Sequence, residues 1–588
     1  MCEHRVSTLA VAGAAVLLAL PGRVSGSRFS MGYEWEQDIS IRQLSFVKTE
    51  GSDTRYHGVA VCTLSVSNRS PVIQTVRLSS YVSSYSIYGN NRIPRYSQEC
   101  TVKPGASAHV CFKFLPNEEG NNSSRLHVEI AGTPKGVFAL DPFPWMVGYA
   151  SEFSIMLSPS ISKTAVEYRD RTLSGANATH FAWGKNVSFL EGKIPVREWP
   201  SQWLAYTPAD CIVLTREEWT TVPETVRAAL LGWLQAGGRL LLAGVHADEL
   251  ERYRIPVGFG DVCAISSAVP EEWTTTDFTV LHAASTQSAA QWKRIIRNSG
   301  QGYPTDIAFS LPPLVPVYVV LLGIMLLLGP GLLILLALRN LRIYLYWIAP
   351  SVAGGVSVII LVFALVRDGI SPITCAQSVV YLNETSRTQV QLAALTLMAP
   401  AGLYSPLHFP ASAEVMPAPS NLNFATGVRT VRNEGDLILN SAWVPSRIPI
   451  TFLVRDTGGL TIPTPQFNGT ATVANPYAIP IQRLLYCDAE GKHFALDAPL
   501  PPGATASLTP CTPAAKGQTP NIVDAVKGTF YNAETFDNIG FSFLSARLQF
   551  PLPPKTYLCE LDGTPFMEHP IRRGKTRHEG KTLVLGEM

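Results

Sequence analysis

Leu314-Val-Pro-Val-Tyr-Val-Val-Leu-Leu-Gly-Ile-Met-Leu-Leu-Leu-Gly-Pro-Gly-Leu-Leu-Ile-Leu-Leu-Ala-Leu338 is the stretch on which the reading of this chain turns, together with Tyr344–Val366 just beyond Arg339-Asn-Leu-Arg342-Ile. Neither run holds an Asp, Glu, Lys or Arg. A span of about 20 apolar residues crosses a bilayer. A buried helical hairpin of a large globular core is the alternative, and two adjacent uncharged runs of this length disfavour it, because charge is what membranes exclude. The sequence therefore predicts two transmembrane helices, 314–338 and 344–366. With no ionisable group inside either, ion or proton transport is disfavoured. Gly329-Pro330-Gly331 predicts a bend in the first helix. Ser351 and Gly355, four residues apart in the second, permit close helix packing, within the hairpin or against another membrane subunit.

Outward from the hairpin, Arg339 and Arg342 without an acid place the turn in the cytoplasm. At the N-terminus, Arg5, an apolar Leu9–Leu20, Pro21-Gly22 and the small residues Val24-Ser25-Gly26 predict a secretory signal over 1–26. The same pattern also fits an uncleaved signal anchor. Signal and loop charge agree that the large parts on both sides of the hairpin lie outside the cytoplasm, leaving almost nothing inside.

The 588 residues are 46% hydrophobic and only 16% charged, with 44 Gly and 44 Pro, which points to β-rich, turn-rich modules. A net charge of +2 offers no basic patch for nucleic acid. The mature chain keeps Cys62, Cys100, Cys111, Cys211, Cys263, Cys375, Cys487, Cys511 and Cys559, an odd set without metal-ligand spacing, so no metal or cofactor is expected. Cys100 with Cys111 and Cys62 with Cys111 are candidate bridges. Asn68, Asn177, Asn186, Asn383 and Asn468 head N-x-S/T sequons, used only in a eukaryotic secretory route.

Residues 27–135 contain short β-prone runs, Val59–Val66, Ile73–Leu78, Ala108–Phe114 and Leu126–Ile130, spaced as in an antiparallel, broadly Ig-like sandwich. Val66-Ser-Asn-Arg-Ser-Pro-Val-Ile-Gln74 and Pro104-Gly-Ala-Ser-Ala108 have counterparts in Val473-Ala-Asn-Pro-Tyr-Ala-Ile-Pro-Ile-Gln482 and Pro501-Pro-Gly-Ala-Thr-Ala506. Both follow one scheme of a strand ending in Asn, a second strand and a Pro-Gly-Ala turn. This predicts a related sandwich near 465–560, within a β-rich region 367–588; convergence on a common strand-turn pattern is the alternative. Residues 410–470 read as irregular β structure, and the basic end around Arg572-Arg-Gly-Lys-Thr-Arg577 as a solvated tail.

The region 136–305 differs. Cys211-Ile-Val-Leu214 reads as a buried strand, and Thr221-Val-Pro-Glu224 as a capping-box helix start. Val226, Ala229, Leu230, Trp233 and Leu234 form one helical face, and Arg239-Leu-Leu-Leu-Ala243 the next strand. That is a right-handed βαβ unit with a parallel sheet. Trp199-Pro-Ser-Gln-Trp-Leu-Ala-Tyr-Thr-Pro-Ala-Asp210 and Leu231-Gly-Trp-Leu-Gln-Ala-Gly-Gly-Arg-Leu-Leu-Leu-Ala-Gly244 resemble the class I glutamine amidotransferase-like domain of uncharacterised bacterial membrane-anchored proteins. Gly329-Pro330 and Trp347-Ile-Ala-Pro350 resemble the paired spans of the same proteins, so the likeness covers roughly 140–410. It implies a flavodoxin-like α/β domain.

An amidotransferase needs a Cys on a sharp strand-to-helix elbow. This chain has neither Gly-x-Cys-x-Gly nor Gly-x-Ser-x-Gly, Cys211 opens a strand, and Cys263 lies in Asp261-Val-Cys-Ala. Open α/β sheets bind ligands outside the carboxyl ends of their strands, where Thr215-Arg-Glu-Glu218 and Gly244-Val-His-Ala-Asp248 fall. Glu218, His246 and Asp248 are thus the candidate ligand-binding residues, with solvated loop residues as the plainer alternative. His180, near Trp183, reads as a packing histidine.

The fold expected is multidomain α/β plus all-β: a flavodoxin-like domain and β-sandwich modules flanking a two-helix transmembrane hairpin. The function expected is a non-enzymatic, membrane-anchored component of a bacterial envelope, periplasmic or extracellular in its bulk. It would touch the lipid bilayer and assemble other envelope or membrane proteins. The alternatives are a membrane-tethered hydrolase acting on an envelope substrate and a ligand sensor working through a membrane partner.

Overall fold

The computed structural model describes, with short gaps, residues 32–48, 60–81, 95–114, 125–139, 153–176, 187–287, 371–417, 430–511 and 552–588, and scattered positions between 322 and 358. The N-terminal strands are β1 (Gly32–Trp35), β2 (Ile39–Leu44), β3 (Val47–Lys48), β4 (Ala60–Asn68), β5 (Gln74–Tyr81), β6 (Arg95–Val102), β7 (Ser107–Phe114), β8 (Arg125–Ile130) and β9 (Thr133–Ala139). Alternation along β4 turns Leu64 and Val66 inward, and along β5 Val76 and Leu78. A sheet β1-β2-β4-β7 thereby faces a sheet holding β6-β5-β8-β9 across one apolar core.

The next unit runs β10 (Phe153–Leu157), α1 (Lys163–Ala176), β11 (Val187–Gly192), β12 (Cys211–Thr215), α2 (Arg216–Thr221), α3 (Glu224–Gln235), β13 (Arg239–Ala243), β14 (Asp261–Ile265) and α4 (Thr275–Gln287). Its parallel strands lie in the order β14-β13-β12-β10-β11, with β3 added antiparallel at the edge. Numbered within the unit this is 2-1-3-4-5, a doubly wound order. Every residue of β12 and β13 is buried, as parallel strands covered on both faces must be. Ile155, Val213 and Leu241 pack under Val166 of α1 and Phe278 of α4, while Ile212, Leu214 and Leu240 meet Leu230 and Trp233 of α3. The chain returns from α3 so closely that a Cβ on Gly260 would lie 1.9 Å from the Leu234 carbonyl oxygen.

The second half of the chain supplies β15 (Ile373–Asn383), β16 (Thr388–Met398), β17 (Leu407–Pro410), β18 (Glu414–Pro417), β19 (Thr430–Glu434), β20 (Asp436–Asn440) and β21 (Ile450–Gly459). It ends with β22 (Gln466–Asn468), β23 (Thr472–Ala474), β24 (Ile481–Cys487), β25 (His493–Ala495), β26 (Thr505–Ser507), β27 (Thr509–Cys511), β28 (Thr556–Leu561) and β29 (Arg577–Glu587). A nine-stranded sheet β18-β21-β16-β15-β29-β28-β24-β25-β27 is the centre of the molecule. In it β29 lies parallel to β15 along its whole length, from Ile373 opposite Arg577 to Asn383 opposite Glu587. Strands β17, β20 and β19 instead extend the N-terminal sheet, β19 lying parallel to β6. The N-terminal sandwich is therefore completed by the second half of the chain.

The α/β unit docks on the second half of the chain through α3 and the 3-10 turn Trp203–Tyr206. Trp203 Nε1 donates to Ser412 O (3.0 Å), Gln235 Nε2 to Thr388 Oγ1 (3.2 Å), and Arg455 Nη1 to Ala236 O (3.3 Å), where α3 ends. Arg455, from β21, also pairs with the wholly buried Glu414 of β18.

The two sandwiches correspond strand for strand. The first sets β2-β4-β7 against β6-β5-β8-β9, the second β22-β23-β26 against β25-β24-β28-β29. Each is closed by a buried asparagine. Asn68 Nδ2 donates to Val72 O (2.8 Å) and Val102 O (2.9 Å), and its Oδ1 accepts from Ser70 N (2.9 Å). Asn475 Nδ2 donates to Ile479 O and Leu500 O (both 3.0 Å), and its Oδ1 accepts from Tyr477 N (2.9 Å). The two Pro-Gly-Ala turns bind the backbone of these asparagines, with Gly105 at φ +67° and Gly503 at φ +68°, a region that favours glycine. Such agreement in partners and geometry favours duplication over convergence.

The expected fold class needs correction. Among the described residues the structure is predominantly β with few helices, no helix is long and apolar enough to cross a membrane, and the two-helix transmembrane hairpin is not seen. Most of 314–338 and 344–366 lies outside the described residues, and the positions described there carry helical backbone, with a π turn at Pro330-Gly331. Hydropathy measures how apolar a run is, whereas a continuous helix also needs its amide ladder. Pro330 removes one donor from that ladder, and its flanking glycines weaken it. The signal segment 1–26, His180 and Trp183 lie outside the described residues.

Candidate functional site

The carboxyl edge of the parallel sheet is where a doubly wound fold gathers its loops, and its switch point lies between β10 and β12. Four loops meet there, and their polar groups are largely engaged with one another. After β12, Thr215 caps α2: its Oγ1 accepts from Glu218 N (3.3 Å), and Glu218 Oε2 accepts from Thr215 N (2.9 Å). Glu218 Oε1 accepts from Ser160 Oγ (2.7 Å) in the loop after β10. One carboxylate thus closes a capping box and ties two loops across the switch point. The box expected at Thr221–Glu224 is absent, since α3 begins after Pro223 without a side-chain cap. Thr215-Arg-Glu-Glu218 already had the S/T-x-x-E pattern.

The loop after β14 repeats the device. Asp277 Oδ2 accepts from Thr274 N (2.8 Å) and Thr274 Oγ1 (2.7 Å), and its Oδ1 from Ser266 N (3.0 Å). Burial works against the Asp277 charge, but the hydrogen bonds from Thr274 and Ser266 prevail and hold its carboxyl below the usual range. Ser160, Ser266, Thr274 and Asp277 are site residues that the sequence reading missed, although Thr274-Thr-Thr-Asp277 is a legible cap. Ser158, at the end of β10, is wholly buried with its Oγ unbonded.

His246 and Asp248 follow β13 at the same edge, and both are exposed. The backbone of His246 starts a 3-10 turn by accepting from Glu249 N (3.0 Å), and Glu249 pairs with Arg216 (3.4 Å). The structure therefore brings Glu218, His246 and Asp248 to one edge but engages Glu218 as a cap and leaves the other two in solvent. Ser351 Oγ donates to Trp347 O (2.7 Å), and among the described residues nothing lies within 4 Å of a Cβ placed on Gly355.

Neither thiol of the unit sits on an elbow. Cys211 opens β12 at the opposite edge of the sheet, and burial pushes its thiol far up. Cys263, within β14, is also raised by burial, although Arg239 Nη2 donates to its Sγ (3.0 Å) and opposes the shift. Among the described residues no group of three His, Cys, Asp or Glu is arranged to hold a metal ion. Cys100 is a free thiol, so the Cys100–Cys111 bridge is not formed. The strand register sets Cys62 opposite Phe112 and Cys111 opposite Thr63 rather than each other. Of the sequons, Asn68 and Asn383 are buried and committed to hydrogen bonds, Asn468 is exposed, and Asn177 and Asn186 lie outside the described residues.

No protein-family model and no curated protein matches this chain.

Proposed function

We propose that this chain is a non-enzymatic binding and assembly protein of the cell envelope, exported from the cytoplasm, with an α/β unit that is a non-catalytic relative of amidotransferase-like domains. The observation that carries this reading is the state of Glu218. A catalytic or phosphate-binding switch point leaves its loop ends open to substrate. Here a carboxylate, accepting from Thr215 and Ser160, occupies that position and repels anions. The thiols that would serve as nucleophiles are buried or held by Arg239. Such a unit suits presenting a surface rather than turning over a substrate.

The test is crosslinking in intact cells, purification of the tagged chain and identification of what accompanies it. A fixed set of envelope proteins is expected, unchanged by the double substitution His246→Ala, Asp248→Ala. Recovery of nothing above background would count against assembly. Loss of cellular function in the double variant, at normal protein level and with the same partners, would favour hydrolysis at this edge.

A further inference from the structure

The duplication shows what covers one corner of the second sandwich and leaves the same corner of the first uncovered. In both, the residue four after the clamp asparagine lies at the tip between two strands. In the second sandwich that residue is Ile479, and it is partly covered: a Cβ on Gly563 would lie 3.3 Å from Ile479 Cδ1. Beside it, the Phe566 ring meets Tyr477 edge-on at 5.2 Å. The cover, Gly563-Thr-Pro-Phe566, comes from the long connection 562–576 between β28 and β29. In the first sandwich the β8–β9 connection is only Ala131-Gly132, with both residues at positive φ (48° and 78°), and Ala131 N is bonded back to Thr75 O (2.9 Å). So short a turn cannot reach across the tip. Val72 and Ile73 are accordingly 56% and 62% exposed.

This tip is stiff. Val72 O accepts both from Asn68 Nδ2 (2.8 Å) and from Ser70 Oγ (3.0 Å). Apolar side chains on a preorganised tip lose little conformational freedom when they are covered.

We propose that the Val72-Ile73 tip is a docking site for a segment of a partner protein: a Gly/Pro turn carrying an aromatic side chain, lying where Gly563–Phe566 lies in the second sandwich. The chemistry of the occupant is taken from the cover that the chain provides for its own duplicate. The proposal deepens the assembly reading and rests on it.

The experiment places a photoreactive phenylalanine analogue at position 72 or 73 of the full chain in its native cells and maps the crosslinked peptides by mass spectrometry. Crosslinks are expected to one partner, in a segment with an aromatic residue within about two positions of a Gly or Pro. With the probe at 73, Val72→Ser should lower the yield at least tenfold. That side chain is exposed, so the melting temperature should stay unchanged. A probe at exposed Thr75 serves as the control and should give none. Crosslinks only to lipid or to a second copy of the chain would overturn the proposal. So would the absence of any while whole-protein complexes are still recovered, an outcome that leaves the assembly reading standing.

Discussion

Removing Glu414 tests how the α/β unit is held to the central sheet. Glu414 is wholly buried on β18, and the Arg455 side chain is 8% exposed on β21. The guanidinium pairs with the carboxylate and also donates to Ala236 O at the end of α3, so one cation joins the sheet to the helix. Removing one partner of a buried pair leaves an uncompensated charge and costs about 3–5 kcal/mol. Glu414→Ala should fall in that range. Replacing both partners by apolar residues, Glu414→Leu with Arg455→Met, removes both charges together. It should lie within about 1–2 kcal/mol of wild type after the lost bond to Ala236 is counted. Urea unfolding followed by tryptophan fluorescence supplies the double-mutant cycle. Glu99→Ala, which removes the half-exposed partner of Arg77, is the control and should cost less than about 1 kcal/mol. If Glu414→Ala costs no more than Glu99→Ala, or if the two substitutions at 414 and 455 simply add, the pair does not lock the unit to the sheet.

The remaining expectations concern the clamps, a close approach and pH. Asn68→Ala and Asn475→Ala each strand buried carbonyls and should each cost about 2–4 kcal/mol in urea unfolding, with Asn→Asp no rescue because it cannot donate. Gly260→Ala drives a Cβ into backbone and should cost about 3 kcal/mol or more, read as loss of soluble folded protein or a collapsed unfolding midpoint. His569 and His578 stack with ring centroids 3.4 Å apart. Burial, and then the charge of His578, lower His569; burial lowers His578. Folding thus disfavours protonation, so the stability they confer is present above the unfolded value of 6.5 and is lost as pH falls through the lower folded values. The urea midpoint should drop between about pH 7 and pH 5, and His569→Gln should flatten the drop. Asp277 has the same sign in a lower window: its contribution holds above the ordinary carboxylate range and is lost only as pH falls below it, an acid loss that Asp277→Asn should remove.

Features encoded by neighbouring residues were legible in the sequence, and those requiring distant ones were not. The strand at Cys211, the helical face of Val226, Leu230 and Trp233, and the strand at Arg239 lie within about one βαβ unit. The Asn and Pro-Gly-Ala repeat was visible because each half of the clamp is a short local motif. The parallel pairing of Ile373–Asn383 with Arg577–Glu587 left no local signal, since nothing near either strand names its partner. The region read as a solvated basic tail therefore holds the start of a central strand. Glu218 is legible by its place after a strand, and its capping role by Thr215 three residues before it, but the tie to Ser160 joins loops 58 residues apart and leaves no local signal. The hairpin was read from apolar composition alone, and among the described residues no helix is long and apolar enough to cross a membrane.

The two halves of the chain share strands and cores. Strands β17, β19 and β20 complete the N-terminal sandwich, and β16 and β21 carry the α/β unit through Thr388 and Arg455. Apolar residues from both halves of the chain, Ile41 and Leu64 with Leu395 and Phe452, and Trp233 with Tyr381 and Leu392, fill common cores. The stretches described up to Gln287 and from Ile373 onward therefore belong to one set of shared sheets and cores. A partner seated on the Val72-Ile73 tip would therefore bear on sheets and cores that both halves of the chain build together.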